Sequence, residues 1–445
     1  MRAAPVLVGL LALAGCGPAA RAADPAAAAR ELGAGTPAAA CAALRARAVV
    51  ASGGTAGLEA LRARARCRAA AGEAEAAEAA ARAALAARPG DAQAHLELAL
   101  ALVARSPRGL PEALVLLRRA AALAPARADV AFLLGTLLLD DEQAAAARPP
   151  LERAVALDGR RAGPRLALAV ALVEAGDAAA ARAALGPVPE LDPTPEEVAR
   201  GRVVCGRLAG WFRGLPEGAV AAYRRAAALL EADLPGQAVA ALEELGRARP
   251  GFAAAHTLLG LAHLKLGNDA RAAAALLRAA DLNPDDPTNQ VYLGLVYLDR
   301  GRAEVAIERL ERALALDPFE ARATAALARA REGAGATAEA ERLYRRLAVL
   351  DGGEPATLRA WARVLKALGD QAGAERALLR AVDKEPSSFE AHLELGAIYQ
   401  ARFAGGAPVE ARDSAARARR HLRRALELHP GDEAARKLLK SLEAE

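Results

Sequence analysis

Six histidines, four cysteines and a few paired carboxylates are the groups in this chain whose types could do chemistry. Imidazoles and thiolates are the usual ligands of zinc, and a site needs three or four of them within a few ångströms of a common point. His95, His256 and His392 recur at equivalent positions of a repeating pattern, so they fall far apart along the chain and are predicted to be packing residues of three separate units. His263, His421 and His429 are read as isolated in the same way. Cys41, Cys67 and Cys205 lack the CxxC spacing of a zinc or redox centre, and burial in helices is the expected role, with a Cys41 to Cys67 bridge as the alternative. Acidic neighbours such as Glu243 and Glu244 lie side by side on a helix surface, where solvation explains them. Phosphate cradling, zinc hydrolysis and acyl transfer each lack their usual residues, because no GxxxxGK[ST] loop, HExxH pair or GxSxG elbow is present. The sequence therefore assigns no catalytic residue, no metal ligand set and no cofactor.

The elements that would hold such groups are helices. Hydrophobic residues make up 54% of the 445 positions and aromatic residues only 3%, with alanine dominant. Alanine is the best helix former and allows helix axes to approach, whereas strands draw on the β-branched and aromatic residues that are scarce here. A net charge of +5 arises from 59 basic and 54 acidic residues that are interspersed along the chain. Such mixing predicts solvated helix faces, and without a basic cluster interleaved with aromatics neither a nucleic-acid partner nor a small-molecule substrate is expected.

Internal periodicity organises the chain. Pro250, Pro284 and Pro318 fall 34 residues apart, with Pro386 two steps beyond the last, and Gly267, Gly301, Gly335 and Gly369 keep the same step midway between them. Glycine accepts the left-handed conformation that ends a helix, and Asn268 or Asp370 can cap the next one, so each glycine divides a helical hairpin. Proline excludes its predecessor from the helical region, and Asn283-Pro284 and Asp317-Pro318 accordingly separate one hairpin from its successor. Within one unit Gln290, Leu293, Gly294 and Tyr297 share a face of the first helix, and Ala306, Leu310 and Ala313 share a face of the second.

These marks resemble the tetratricopeptide repeat family, whose pattern runs from a large residue through Leu-Gly and Tyr to Ala, a bulky residue, Ala and Pro. Leu259-Gly260, Leu293-Gly294 with Tyr297, and Leu395-Gly396 with Tyr399 carry the first-helix pattern. Ala272 with Ala279, Ala306 with Ala313, and Ala374 with Ala381 carry the second. Leu134-Gly135 with Ala147 and Ala154, and Leu168 with Gly176 and Ala181, extend it backwards. Departures exist: the first-helix Trp is absent, Arg331 stands for Tyr and Gly352 for Pro. The resemblance implies an all-α, right-handed α-solenoid of stacked antiparallel hairpins, with arrays at 58–195 and 219–432. Breaks in the phase predict two extra residues near Ser106 to Gly109 and ten in the turn around Phe403 to Asp413. A lone, unpaired helix is expected from Glu196 to Phe212, within an irregular segment 196–218, and a capping helix in 433–445.

The family's concave groove is lined by particular first-helix positions, and the resemblance carries these over residue by residue. Phe132, Thr136 and Leu139, then Leu166, Val170 and Val173, and farther on Thr257, Leu261, Leu264, Val291, Leu295 and Leu298 would form an apolar floor. Arg322, Arg329, Arg359, Arg363 and Lys366 would make the groove basic towards its carboxy end. The expected ligand is a helix or extended peptide, with an acidic stretch or terminal carboxylate at the arginines. Arg359 and Arg363 do not reproduce the Asn and Lys set of the family's carboxylate clamps.

Arg2, an apolar stretch from Ala3 to Ala14 and the run Leu13-Ala14-Gly15-Cys16 open the sequence. The stretch is shorter than the roughly 20 residues that span a bilayer. It is similar to a secretory signal, 1–15, ending in the lipobox of bacterial lipoproteins, which implies an acylated Cys16 followed by a linker with weak helices at 16–57. Cleavage near Ala20-Arg21-Ala22, giving a soluble periplasmic protein, is the alternative. Together these readings predict a non-catalytic, lipid-anchored scaffold of the cell envelope, facing the periplasm, whose partners are proteins of envelope or export machinery. An accessory subunit of a polysaccharide- or peptidoglycan-modifying complex, and a self-associating structural protein, are the alternatives.

Overall fold

The computed structural model describes residues 74–209, 216–405 and 408–442. The signal, Cys16, the linker and the 58–73 part of the first array lie outside the described residues, as do Cys41 and Cys67. Described residues form α-helices joined by short turns, with no strand among them. They divide into two compact units, one of residues 74–191 with 206–208, the other of 192–205 and 209–442.

The first unit begins with α1 (Ala74–Ala87) and continues as three hairpins: α2 (Ala92–Arg105) with α3 (Leu110–Leu123), α4 (Ala128–Asp140) with α5 (Ala144–Leu157), and α6 (Ala162–Glu174) with α7 (Ala178–Leu185). The extra residues near Ser106 form a single 3-10 turn, Pro107–Gly109. Helix α8 (Pro195–Ala209) follows, all but residues 206–208 of it in the second unit. The hairpins of that unit pair α9 (Glu217–Glu231) with α10 (Pro235–Ala248), α11 (Ala253–Lys265) with α12 (Asp269–Leu282), and α13 (Pro287–Asp299) with α14 (Ala303–Leu316). There follow α15 (Ala321–Gly333) with α16 (Thr337–Leu350), α17 (Pro355–Ala367) with α18 (Gln371–Lys384), and α19 (Phe389–Gly405) with α20 (Pro408–Leu428), closed by α21 (Glu433–Ser441). Each unit is thus an all-α solenoid of helical hairpins.

Seven of the hairpin turns share one rule of backbone geometry. Gly176, Gly267, Gly301, Gly335 and Gly369 all adopt positive φ directly after a first helix. Around them the amide three residues past the helix reaches back to a carbonyl five residues earlier, as from Asn268 to His263 and from Arg302 to Tyr297, which satisfies groups the helix end would otherwise leave open. Glu142 (φ 59) and Asp233 (φ 57) occupy the same corner in α4/α5 and α9/α10, so the left-handed turn persists where glycine is missing.

Between the two helices of a hairpin, small residues meet leucine. A Cβ added to Gly294 would lie 2.7 Å from Leu310 Cγ, and one at Gly135 would lie 2.4 Å from Leu151 Cγ. Ala306, Leu310 and Ala313 are fully buried in that seam. Close approach of this kind is what an Ala- and Gly-rich chain can offer, and it replaces the aromatic packing the composition lacks.

One expectation is corrected. The ten extra residues near 403–413 do not make a long turn; they lengthen both partners, to 17 residues in α19 and 21 in α20. Alanine and arginine dominate there, and good helix formers extend a helix in preference to looping out. The expected lone helix is α8: it has no hairpin partner among the described residues, yet its Glu197, Val198, Gly201, Val204, Cys205 and Ala209 are buried, and positions 210–212 lie outside the described residues.

Candidate protein-interaction groove

Each expected groove residue lies on the first helix of its hairpin. On α4, Phe132 and Thr136 are buried and Leu139 half-buried; on α6, Leu166 is buried and Val170 and Val173 are half-buried. In the second unit Thr257, Leu261 and Val291 are buried, leaving Leu264, Leu295 and Leu298 half-exposed on α11 and α13. Val291 is enclosed because successive first helices pack together: it shares a cluster with Leu310 and Ala313 of its own hairpin and Ala323, Ala326 and Leu327 of the next, with Leu295 and Leu298 at the margin. Of the expected apolar floor, the side chains left half-exposed are therefore Leu139, Val170 and Val173 in one unit and Leu264, Leu295 and Leu298 in the other.

A polar ladder missed by sequence reading runs beneath it. Thr257 donates to Asn289 Oδ1 at 2.9 Å, and Asn289 in turn donates to Asp286 at 3.4 Å. Asp286 also accepts from the Thr288 amide at 2.9 Å, capping α13. Asn289 is fully buried, and a buried amide needs such partners to offset its lost hydration. The only sign in the sequence is a run of polar residues, Thr288-Asn289-Gln290, where the pattern places a packed face.

The five cations of α15 and α17 do not form a bare basic cluster. Arg322 pairs with Glu320 at 3.1 Å, touches the Tyr292 hydroxyl and lies over that ring. Arg359 meets Glu385 at 3.1 Å and Ser388 at 2.8 Å, and Lys366 meets Glu394 at 2.9 Å. Arg363 holds Glu332 with two hydrogen bonds, 2.7 and 3.1 Å, the forked geometry that strengthens guanidinium–carboxylate pairs. That contact keeps the Glu332 carboxyl below its ordinary range. Glu332 also accepts from the Tyr344 hydroxyl at 2.8 Å. Only Arg329, exposed on α15, has no carboxylate within ion-pair distance among the described residues. What the surface offers is a field of matched charges that a partner's acidic or basic side chains would have to re-partner.

One histidine pair is not isolated as expected. His392 Nδ1 and His421 Nδ1 are 2.9 Å apart, in the seam between α19 and α20. His392 Nε2 donates to Pro386 O at 3.2 Å, which leaves its Nδ1 as the acceptor and makes His421 Nδ1 the donor. His421 Nε2 is then a buried acceptor without a hydrogen-bond partner. Burial, the neighbouring His392 and the Arg420 and Arg417 charges lower His421 to about 4. Among the described residues no third His, Cys, Asp or Glu joins the pair in a metal-binding group. His256 Nε2 faces Pro250 O at 3.3 Å as His392 faces Pro386, whereas His95 uses Nδ1 towards Asp91 O at 2.8 Å. These are packing histidines that staple the start of a first helix.

With the hairpins, corners and seam in place, comparison with known proteins is direct. Models of the tetratricopeptide repeat match residues 138–202, 223–287 and 293–355, and 355–398. The chain belongs to the tetratricopeptide repeat family, whose fold typically serves as a non-catalytic protein-interaction scaffold. No curated protein is close enough in sequence to count as a relative. Among solved structures it is similar to the crystal structure of the APC/C hetero-tetramer Cut9-Hcn1, at 13% identity over 86% of this chain and 96% of that one, with a TM-score of 0.39. PilW, described as a widely conserved type IV pilus biogenesis factor, is similar at 16% identity over 51% of this chain and all of its own, with a TM-score of 0.40. MamA from Desulfovibrio magneticus is similar at 20% identity over 39% of this chain and 99% of its own, with a TM-score of 0.35. Among the described residues no helix is long and apolar enough to cross a membrane.

Proposed function

We propose that this chain is a non-catalytic scaffold of the bacterial cell envelope that holds a peptide or helical segment of a partner protein against the first-helix face of its second unit. The observation that carries the reading is the change of that face along the unit. It is apolar on α11 and α13, where Leu264, Leu295 and Leu298 are half-exposed, and charged on α15 and α17, where Arg322, Arg329, Arg359, Arg363 and Lys366 stand. A bound segment would set apolar side chains against the leucines and an acidic stretch against the arginines. Such a stretch would compete with Glu332 and Glu385 for forked hydrogen bonds. A rigid repeat array suits this task because the receptor loses little freedom on binding.

Attachment to a membrane through an acylated Cys16 is supported by the small residues before it and the apolar stretch that precedes them. Several acyl chains on one cysteine, each methylene contributing about 0.8 kcal/mol, would hold the chain stably at a leaflet. Envelope or export machinery would then be within reach as partner. The test is crosslinking in native membranes, comparing the natural chain with Arg359→Glu/Arg363→Glu. Capture of a partner that falls in the double variant and loses its salt dependence is expected; capture unaffected by the double change would refute the charged end. Labelling with a radioactive fatty acid that persists in Cys16→Ala would refute the anchor.

A further inference from the structure

Helix α8 presents three small residues at four-residue spacing, Gly201, Cys205 and Ala209, on one side. That side meets three consecutive corners of the second unit, each lying just after a second helix. The Phe319 ring covers Gly201 so closely that an added Cβ would sit 2.2 Å from its Cζ. The Cys205 thiol donates to the Asp317 carboxylate, which also accepts from the Phe319 amide at 2.8 Å. Asn283 donates through Nδ2 to the Ala209 carbonyl at 2.9 Å, and Arg202 donates through Nη2 to the Leu350 carbonyl at 3.0 Å. Asn283 and Asp317 hold the same place in successive repeats, as does Asp351 beside Leu350 in the next. The corners thus form a track with a rung every 34 residues. Each rung offers either a side-chain acceptor or donor, or the open carbonyl of a helix end.

We propose that this track of corners is a helix-recognition surface separate from the groove, and that α8 is its resident ligand, held in cis. The groove residues sit on first helices, whereas the track is built from the ends of second helices, so the two surfaces use different parts of each repeat. Four features fit α8 to this role. Small residues allow close approach, the aromatic ring fills the gap left by Gly201, and polar contacts fix the register at both ends. The helix is also capped from within, by Thr194 accepting from the Glu197 amide at 3.3 Å while Glu197 accepts from the Thr194 amide at 2.8 Å. The contact is made of small residues, one aromatic ring and three polar bonds. It is therefore exchangeable by any helix bearing Gly, Cys or Ala at every fourth position with an arginine beside the first.

The natural Cys205 reports the state of this contact in the full-length chain. Alkylation with iodoacetamide, followed peptide by peptide, should find Cys205 protected in the natural protein. Gly201→Leu, which drives a side chain into the Phe319 ring, should speed its modification by about tenfold or more while the melting of the hairpins is unchanged. Arg202→Ala, which alters only the register bond to Leu350, should speed it by a smaller factor. A labelled synthetic peptide of residues 194–209 should bind the Gly201→Leu chain and not the natural one, whose track is filled. Cys205 reacting in the natural chain as fast as in urea, or staying protected in both variants, would overturn the docked α8. Peptide binding equal in both chains, or seen in neither, would overturn the exchangeable track.

Discussion

The hairpins α13/α14 and α17/α18 are built on the same seam and turned outward in opposite ways. In the first, Gly294 meets Leu310 and Ala306 and Ala313 are fully buried; in the second, Ala362, Leu378, Ala374 and Ala381 do the same. Outside the seam the two diverge. Val291, Leu295 and Leu298 join α13 to its successor by apolar packing, whereas the corresponding face of α17 carries Arg359, Arg363 and Lys366, each tied to a carboxylate outside α17. The difference teaches where the fold is specified and where it is free. Small residues in the seam fix the hairpin, and the first-helix face can then exchange hydrophobic for ionic character without disturbing the repeat.

Breaking that comparison should show unequal costs. Val291→Asp puts an unpaired charge into a fully enclosed site, and should cost roughly 3–5 kcal/mol in urea unfolding. A loss under about 1 kcal/mol would mean that α13 and α15 are joined otherwise. The His392–His421 seam of α19/α20 should impose acid sensitivity. His421 is lowered to about 4 from an ordinary 6.5, so both folded and unfolded chains hold it neutral above that ordinary value and its contribution is complete there. As pH falls from 6.5 towards 4 the unfolded chain binds the proton first, and up to about 3 kcal/mol is lost. His421→Phe should flatten that limb of a stability-versus-pH curve; an unchanged slope would assign it to other groups.

A gain is expected at one of the hairpin corners that lack glycine. Asp233 holds φ 57, and Asp233→Gly should relieve about 1 kcal/mol of left-handed strain, read as a raised melting temperature. No rise would mean that the bond from Lys265 to Asp233, 3.0 Å long, offsets the strain. Smallest of all should be Arg363→Ala on the charged face. Arg363 is well exposed, and exposed pairs contribute about 0 to 1 kcal/mol. Such a variant should unfold like the natural chain and differ in binding alone, which separates the face's role from the seam's.

Much of the fold was legible because its signals are local and periodic. A glycine in a left-handed corner and a proline after a helix act within a few residues, and repetition at constant phase multiplies the evidence at Gly267, Gly301, Gly335 and Gly369. What escaped notice depends on contacts remote in sequence. Asn283 reaches Ala209 and Leu350 reaches Arg202 across 74 and 148 positions, and no periodicity of α8 encodes those partners. The carboxylates that hold Arg359, Arg363 and Lys366 are remote in sequence, at separations of 26, 31 and 28. The histidine pair was hidden by the phase break. Gln290 pairs with Arg309 across the α13/α14 seam at a separation of 19, and His392 pairs with His421 across the α19/α20 seam at 29. The ten added residues displaced the second histidine from the register in which it would have been sought. Burial of Val291 and Leu261 in the expected floor has a similar cause, since contact between successive first helices is set by their packing and not by either helix alone.

Site-specific photo-crosslinking in the native membrane tests the scaffold reading most directly. A photoreactive side chain would be placed at Arg329 and at Leu298, on the first-helix face, and at Leu277, exposed on the second helix α12. Adducts to one partner protein from Arg329 and Leu298, with none from Leu277, are the predicted result. Adducts from Leu277 alone, or no adduct from either first-helix position, would contradict it.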